Sequence, residues 1–303
     1  MNGSQLLSEA HSLILMNEKE RLLQLLKSNS SLRIDECEFE RFIHSFLDSY
    51  TGIDNCININ GSGGSKIPKL NLSSIACIYI AAITNMKVVK TGSVANTALV
   101  GSSDLFDKLG LLHAHNKLKG LDMFNVAYYD FLQITAWKRY RDILTLNDSL
   151  RHFINNGVFF DYSASTYIMG IALSHYYDVL SKNKQYNPPR KLVTYYTKTE
   201  LGIIDEITQG DVFLDGDYIF TIDGELYMPK DKKEAIDEDI RLIYGQSNNK
   251  SSIDSTRFTT ALILHVLCKC SLDEGVKLFN NAYEKRVAGL LVDNLKLLYE
   301  QNV

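Results

Sequence analysis

The chain of 303 residues is 45% hydrophobic and 22% charged, with a formal net charge of -4. That balance belongs to an ordinary folded globular protein and excludes a disordered or fibrous one. Its scattered basic residues exclude broad electrostatic capture of a nucleic-acid backbone.

The five cysteines, Cys37, Cys56, Cys77, Cys268 and Cys270, form no Cys-x-x-Cys pair. Neither a disulfide framework nor a zinc ribbon follows. Cys268 and Cys270, in an apolar helical segment, read as packing residues. The longest apolar runs, such as Ile75 to Ile83, fall short of a membrane span, and Met1-Asn2-Gly3-Ser4 opens no secretory leader. No membrane partner and a reducing, cytoplasmic location are therefore expected.

From Leu6 to Tyr50 apolar residues recur at helical spacing, interrupted at Asn29-Ser30-Ser31, which predicts a small all-helical unit. Cys56 to Asn60 reads as a short strand that empties into Gly61-Ser62-Gly63-Gly64-Ser65. A helical pattern resumes at Ser73 and runs to Thr84. Met86 to Lys90 is a second buried strand, and Thr97 to Gly110 a polar loop and a helix ending at the glycine. The aromatic-rich stretch from Gly120 to Arg151 has no clear period. Tyr167 to Leu180 predicts a helix, and Leu192 to Tyr196 a strand after Pro188-Pro189. Asp215-Gly216 and Asp223-Gly224 flank Tyr218 to Ile222 as hairpin signals. Two helices follow over Thr256 to Leu267 and Ser271 to Tyr283, the second opened by the capping box Ser271-x-x-Glu274. Helices first, then strands alternating with helices, predict a helical domain attached to an α/β domain.

Strand, glycine loop, helix is the order a phosphate site needs, because backbone N–H groups freed of Cβ atoms can close on an oxyanion at a helix start. The same order also makes an ordinary tight turn. Asn71, Ser73 and Ser74 stand where that helix begins and can cap it or meet a ligand or metal. Asp205-Glu206 places two carboxylates inside the apolar run Gly202 to Ile207. Burying both is costly unless a cation or hydrogen-bond donors meet them, and a solvated loop is the alternative. No histidine pair has metal-ligand spacing, and no nucleophile elbow is present.

These residues resemble a known family. Gly61 to Ser74 is similar to the Gly-Thr-Gly-Gly-Asp loop and Asn-Ile-Ser-Thr of anthranilate phosphoribosyltransferases. Lys90 to Gly110 follows the family segment that begins Lys-His-Gly-Asn-Arg and ends Leu-Gly. Asp205-Glu206 resembles its Leu-Asp-Glu-Ile-Ser, and Ser271 to Val276 its Ser-Leu-Glu-Glu-Gly-Val helix. The resemblance implies the two-domain fold shared by nucleoside phosphorylases and phosphoribosyltransferases. It implies a helical domain over residues 1–52, joined by part of 130–152, and an α/β domain over 53–303 that binds phosphoribosyl pyrophosphate. The implied activity moves 5-phosphoribosyl to a small-molecule acceptor with Mg²⁺. Gly61, Ser62, Gly63, Gly64, Ser65, Asn71, Ser74 and Lys90 would hold phosphoribosyl pyrophosphate, and Ser73, Asp205 and Glu206 the metal. Thr91, Gly92 and Ser93 would lie on the acceptor side, and the helical domain would make a homodimer.

The departures cluster on that acceptor side. Ser65 replaces the family's loop aspartate, Thr91 its histidine, Ser93 its asparagine, Val94 its arginine and Leu99 a lysine. An aromatic or amine acceptor other than anthranilate is expected. A non-catalytic protein binding a nucleotide or sugar phosphate, and a nucleoside phosphorylase, are the alternatives.

Overall fold

A computed structural model describes residues 1–44, 56–61, 65, 67–92, 99–112, 117–130, 140–155, 166–172 and 191–300. In chain order the elements are α1 (Gly3–Leu15), α2 (Lys19–Ser28), α3 (Glu36–His44), β1 (Cys56–Gly61), α4 (Leu72–Ile83), β2 (Lys87–Gly92), α5 (Ser102–Lys108), α6 (Lys117–Phe124) and β3 (Val126–Asp130). Next come α7 (Arg141–Leu144), α8 (Asp148–Asn155), β4 (Thr166–Gly170), β5 (Lys191–Thr199), β6 (Gly202–Ile204), β7 (Gly210–Leu214) and β8 (Asp217–Ile222). The chain closes on α9 (Lys232–Ile243), α10 (Lys250–Cys268), α11 (Leu272–Glu284) and α12 (Val287–Glu300). Among the described residues no helix is long and apolar enough to cross a membrane.

The chain divides into two compact units, residues 1–53 with 131–163, and 54–130 with 164–303. The first contains α1, α2, α3, α7 and α8, with no strand among its described residues. Leu6, Ala10, Leu22, Leu26, Phe39, Leu144 and Leu150 form its core. Asn2 and Gln5 close a capping box at α1. The buried Asn147 joins its two chain segments: its amide donates to Asn29 O at 2.8 Å and Leu32 O at 3.0 Å, and its oxygen accepts from Leu150 N at 3.0 Å.

The second unit is built on one sheet in the order β3-β2-β1-β4-β5-β7-β8, with β6 paired to β5. Strands β3, β2, β1, β4 and β5 run parallel, while β6, β7 and β8 add antiparallel pairings. Helix α4 is buried on nearly all sides, from Leu72 to Ala81. Its rigid apolar packing includes Tyr79 against Phe279, ring centroids 4.9 Å apart, and Tyr79 O–H donates to Leu242 O at 2.8 Å. Gly275 lets α11 close on α10: a Cβ there would lie 2.9 Å from Ala261 Cα. The β7–β8 hairpin turns at Asp215-Gly216, both at positive φ (50° and 94°), as its sequence predicts.

Two local expectations are corrected. Thr166 to Gly170 is a central parallel strand, where a helix over Tyr167 to Leu180 is expected; residues 173–180 lie outside those described. A short wholly apolar run suits a buried strand and a buried helix equally, so periodicity does not separate them. Cys268 is exposed at the end of α10, whereas Cys270 does pack against the core.

Candidate functional site

The sheet changes direction between β1 and β4. From β1 the chain winds outward through β2 and β3, and from β4 it winds the other way through β5. In open α/β sheets the crevice beyond the carboxyl ends of strands at such a switch point is where ligands bind. Gly61 ends β1 and Gly170 ends β4, and the two are register partners.

The segment after β6 lies on these two glycines. A Cβ on Gly170 would sit 1.9 Å from Asp205 O, so only glycine admits that backbone. A Cβ on Gly61 would sit 3.2 Å from Asp205 Oδ2 and 3.6 Å from Glu206 Oε1. Both carboxylates, of residues 1% and 3% exposed, therefore flank one point at the Gly61 end of β1.

Helix α4 brings its first turn to Glu206. Ser73 N donates to Glu206 Oε2 and Ser73 Oγ to Oε1, each at 2.9 Å. A carboxylate on the free N–H groups of a helix start is doubly favoured, by hydrogen bonding and by the helix dipole. Glu206, 133 residues away in sequence, takes this place. Asn71, expected to cap α4 or to hold a ligand, makes no side-chain cap. Its amide group instead donates to Val100 O at 3.4 Å, Gly101 O at 3.3 Å and Asp239 Oδ2 at 3.5 Å.

Lys90, near the end of β2, is buried beside this cluster. Its ammonium reaches Asn60 Oδ1 at 3.3 Å and Ser73 Oγ at 3.5 Å. Lys69, between the glycine loop and α4, forms an ion pair with Asp205. Burial lowers the proton affinity of both lysines, Lys69 to about 8, and raises that of Glu206 against the pull of Lys69, Lys90 and the two Ser73 bonds. Beneath them Cys77 is pushed up to about 12 by burial, so its thiol is no nucleophile.

On the β2 side a Cβ on Gly92 would lie 2.6 Å from Ser102 Cβ, and Ser74 O–H donates to Ser102 Oγ at 3.0 Å. Ser65 is buried and accepts from Ile67 N at 3.3 Å within its own loop. Gly61, Ser73, Lys90, Asp205 and Glu206 thus meet at the β1 and β4 ends, whereas Asn71 bonds to Val100, Gly101 and Asp239, and Ser74 to Ser102. Ser62, Gly63, Gly64 and Ser93, and the side chain of Thr91, lie outside the described residues. Lys69, Asn60 and Asp239 are site neighbours that pattern reading misses.

Among the described residues no cluster of three or more His, Cys, Asp or Glu could hold a metal ion. What the switch point offers is two carboxylates and the Ser73 hydroxyl. That hard-oxygen set fits Mg²⁺, which takes one or two carboxylates and completes its shell with phosphate and water oxygens.

The chain is thus an α/β protein with a cluster of buried polar groups at the carboxyl ends of its parallel strands. The fold is that of the anthranilate phosphoribosyltransferases. The enzyme from Saccharomyces cerevisiae, solved in complex with PRPP and Mg, superposes with a TM-score of 0.66 at 14% identity, over 99% of this chain and 94% of that one. The enzyme from Thermus thermophilus gives 0.64 at 17% identity, over 99% and 96%. No family profile matches the sequence, and no curated protein sequence matches it. At these identities the likeness is one of fold.

Proposed function

We propose that the protein is a Mg²⁺-dependent phosphoribosyltransferase that moves 5-phosphoribosyl from phosphoribosyl pyrophosphate to an aromatic or amine acceptor other than anthranilate. The observation that carries this reading is the meeting of Gly61, Gly170, Ser73, Lys90, Asp205 and Glu206 at the β1/β4 switch point. Two buried carboxylates, the buried ammonium of Lys90 and the part-buried one of Lys69 beside the Gly61 end of β1 suit a ligand that brings both phosphate and metal.

In the reaction the bond from ribose carbon 1 to pyrophosphate breaks as the bond to the acceptor nitrogen forms. Carbon 1 becomes cationic in between, and the proton of the amine leaves to solvent or to the departing pyrophosphate. The protein's part is to fix the two substrates in line and to balance the charge that gathers on pyrophosphate. Backbone N–H groups from Gly61 to Gly64, with Ser65, Asn71, Ser74 and Lys90, are assigned to the phosphates. Ser73, Asp205 and Glu206 would hold the metal, which when bound would supply positive charge to the leaving group. Thr91, Gly92 and Ser93 are assigned to the acceptor. Thr91, Ser93 and Val94 in place of the family's His, Asn and Arg remove a cationic and polar grip on a carboxylate. The helical unit is assigned to homodimer formation.

Release of pyrophosphate from phosphoribosyl pyrophosphate, measured against a panel of aromatic amines with Mg²⁺, tests the proposal. Acceptor-dependent release supports it. Binding without release by any acceptor would favour a ligand-binding protein without catalysis. Light scattering of the purified chain tests the dimer, and a monomer at all concentrations refutes that part.

A further inference from the structure

Asp205 already has a cation. Lys69 sets its ammonium on Asp205 Oδ1, its own side chain 12% exposed and that of Asp205 2%. Lys90 approaches through Ser73 Oγ, which itself donates to Glu206. Two ammonium groups therefore face two carboxylates, and the cluster is balanced with no added ion.

Such a balance bears on how a divalent cation enters. An ion that joined the cluster unchanged would leave a double positive charge where little water reaches, and uncompensated buried charge is strongly unfavourable. An ion that takes Asp205 must displace Lys69. Once displaced, the ammonium needs a new anion, and it cannot travel far, because Pro68 precedes it and α4 begins at Leu72.

The geometry points to Lys69 as a tethered counter-cation that closes the metal site in the free protein and passes to the pyrophosphate of the incoming ligand. Metal and pyrophosphate then bind together, each strengthening the other, because each removes a cost that the other would meet alone. This inference rests on the reading of Asp205 and Glu206 as metal carboxylates, and it adds Lys69 as the residue that sets when the metal binds.

Calorimetric titration of the full chain tests it, with Mg²⁺ alone and with the preformed magnesium–pyrophosphate complex. In Lys69→Met, which keeps the aliphatic stem and removes the charge, Mg²⁺ alone binds about tenfold or more tighter than in the unsubstituted protein. The preference for the pyrophosphate complex over the bare ion shrinks in the variant. Lys69→Arg keeps the charge and keeps bare-ion binding weak. Equal bare-ion affinity in Lys69→Met and the unsubstituted protein, or tight bare-ion binding by Lys69→Arg, overturns the role of Lys69 and leaves the metal reading standing. No binding of either titrant by any of the three proteins overturns the metal reading as well. Thermal unfolding confirms that each variant is folded, and Lys69→Gln replaces Lys69→Met if the methionine variant is not.

Discussion

Gly170→Ala perturbs the point on which the site is built. Its Cβ would fall 1.9 Å from Asp205 O and 2.7 Å from Asp205 C, against ordinary heavy-atom contacts of about 3.5 Å. Relief needs a backbone displacement on the order of 1.5 Å, because neither atom belongs to a side chain that can rotate away. The end of β4 is held on one side by Gly61 and on the other by Tyr195. The Asp205 segment is held by Lys69 and by Thr197 O–H, which donates to Glu206 O at 2.9 Å. Overpacking of this kind costs about 1–3 kcal/mol. In a chain of this size that lowers the unfolding midpoint by roughly 2–4 °C per kcal/mol. A shift of the carboxylates by about 1 Å also removes on the order of a hundredfold of any productive positioning. Differential scanning calorimetry and ligand titration should therefore both report a loss. An unchanged midpoint together with unchanged affinity for phosphoribosyl pyrophosphate would refute the close approach and the site founded on it.

The register partner should behave differently. Gly61→Ala would meet Asp205 Oδ2 at 3.2 Å, Glu206 Oε1 at 3.6 Å and Asp205 O at 3.7 Å, none of them as close as the contact at Gly170, so it should change stability by less than about 1 kcal/mol while weakening phosphoribosyl pyrophosphate binding; intact binding would place the ligand elsewhere. Asp205→Asn combined with Glu206→Gln should abolish turnover, and unchanged turnover would remove the metal assignment. Asp239 is held well above the ordinary aspartate range by burial, so the folded chain keeps a proton that the unfolded chain gives up. Its contribution to stability is full below about pH 4 and is lost as pH rises through the raised native value. Asp239→Asn should therefore flatten the fall of the urea midpoint with rising pH, and an identical slope would mean that Asp239 is ionised in the folded protein. Anthranilate should be a poor acceptor, and efficient turnover with it would show that groups elsewhere replace those missing at Thr91, Ser93 and Val94.

Local signals in the chain that answer to local physics are legible. The turn at Asp215-Gly216 and the capping box at Ser271 need only neighbours to form, and both stand where the residues predict them. The acidic pair Asp205-Glu206 is legible for a different reason: two carboxylates in an apolar run require partners, and Lys69 and Ser73 supply them. The identity of those partners is not legible. Lys69 meets Asp205 across 136 residues, and Asn71 meets Asp239 across 168, contacts that only the wound sheet creates. The same cause hides Gly170. In sequence it lies inside Tyr167 to Leu180, which reads as helix, and its necessity appears only when Asp205 O comes to lie where a Cβ would be.

The most direct measurement is calorimetric titration of phosphoribosyl pyrophosphate into the purified protein, with and without Mg²⁺. The account predicts measurable binding below about millimolar concentration that depends on Mg²⁺ and disappears in Asp205→Asn with Glu206→Gln. The absence of heat at millimolar ligand with Mg²⁺ present, or binding indifferent to both the metal and the two carboxylates, would contradict it.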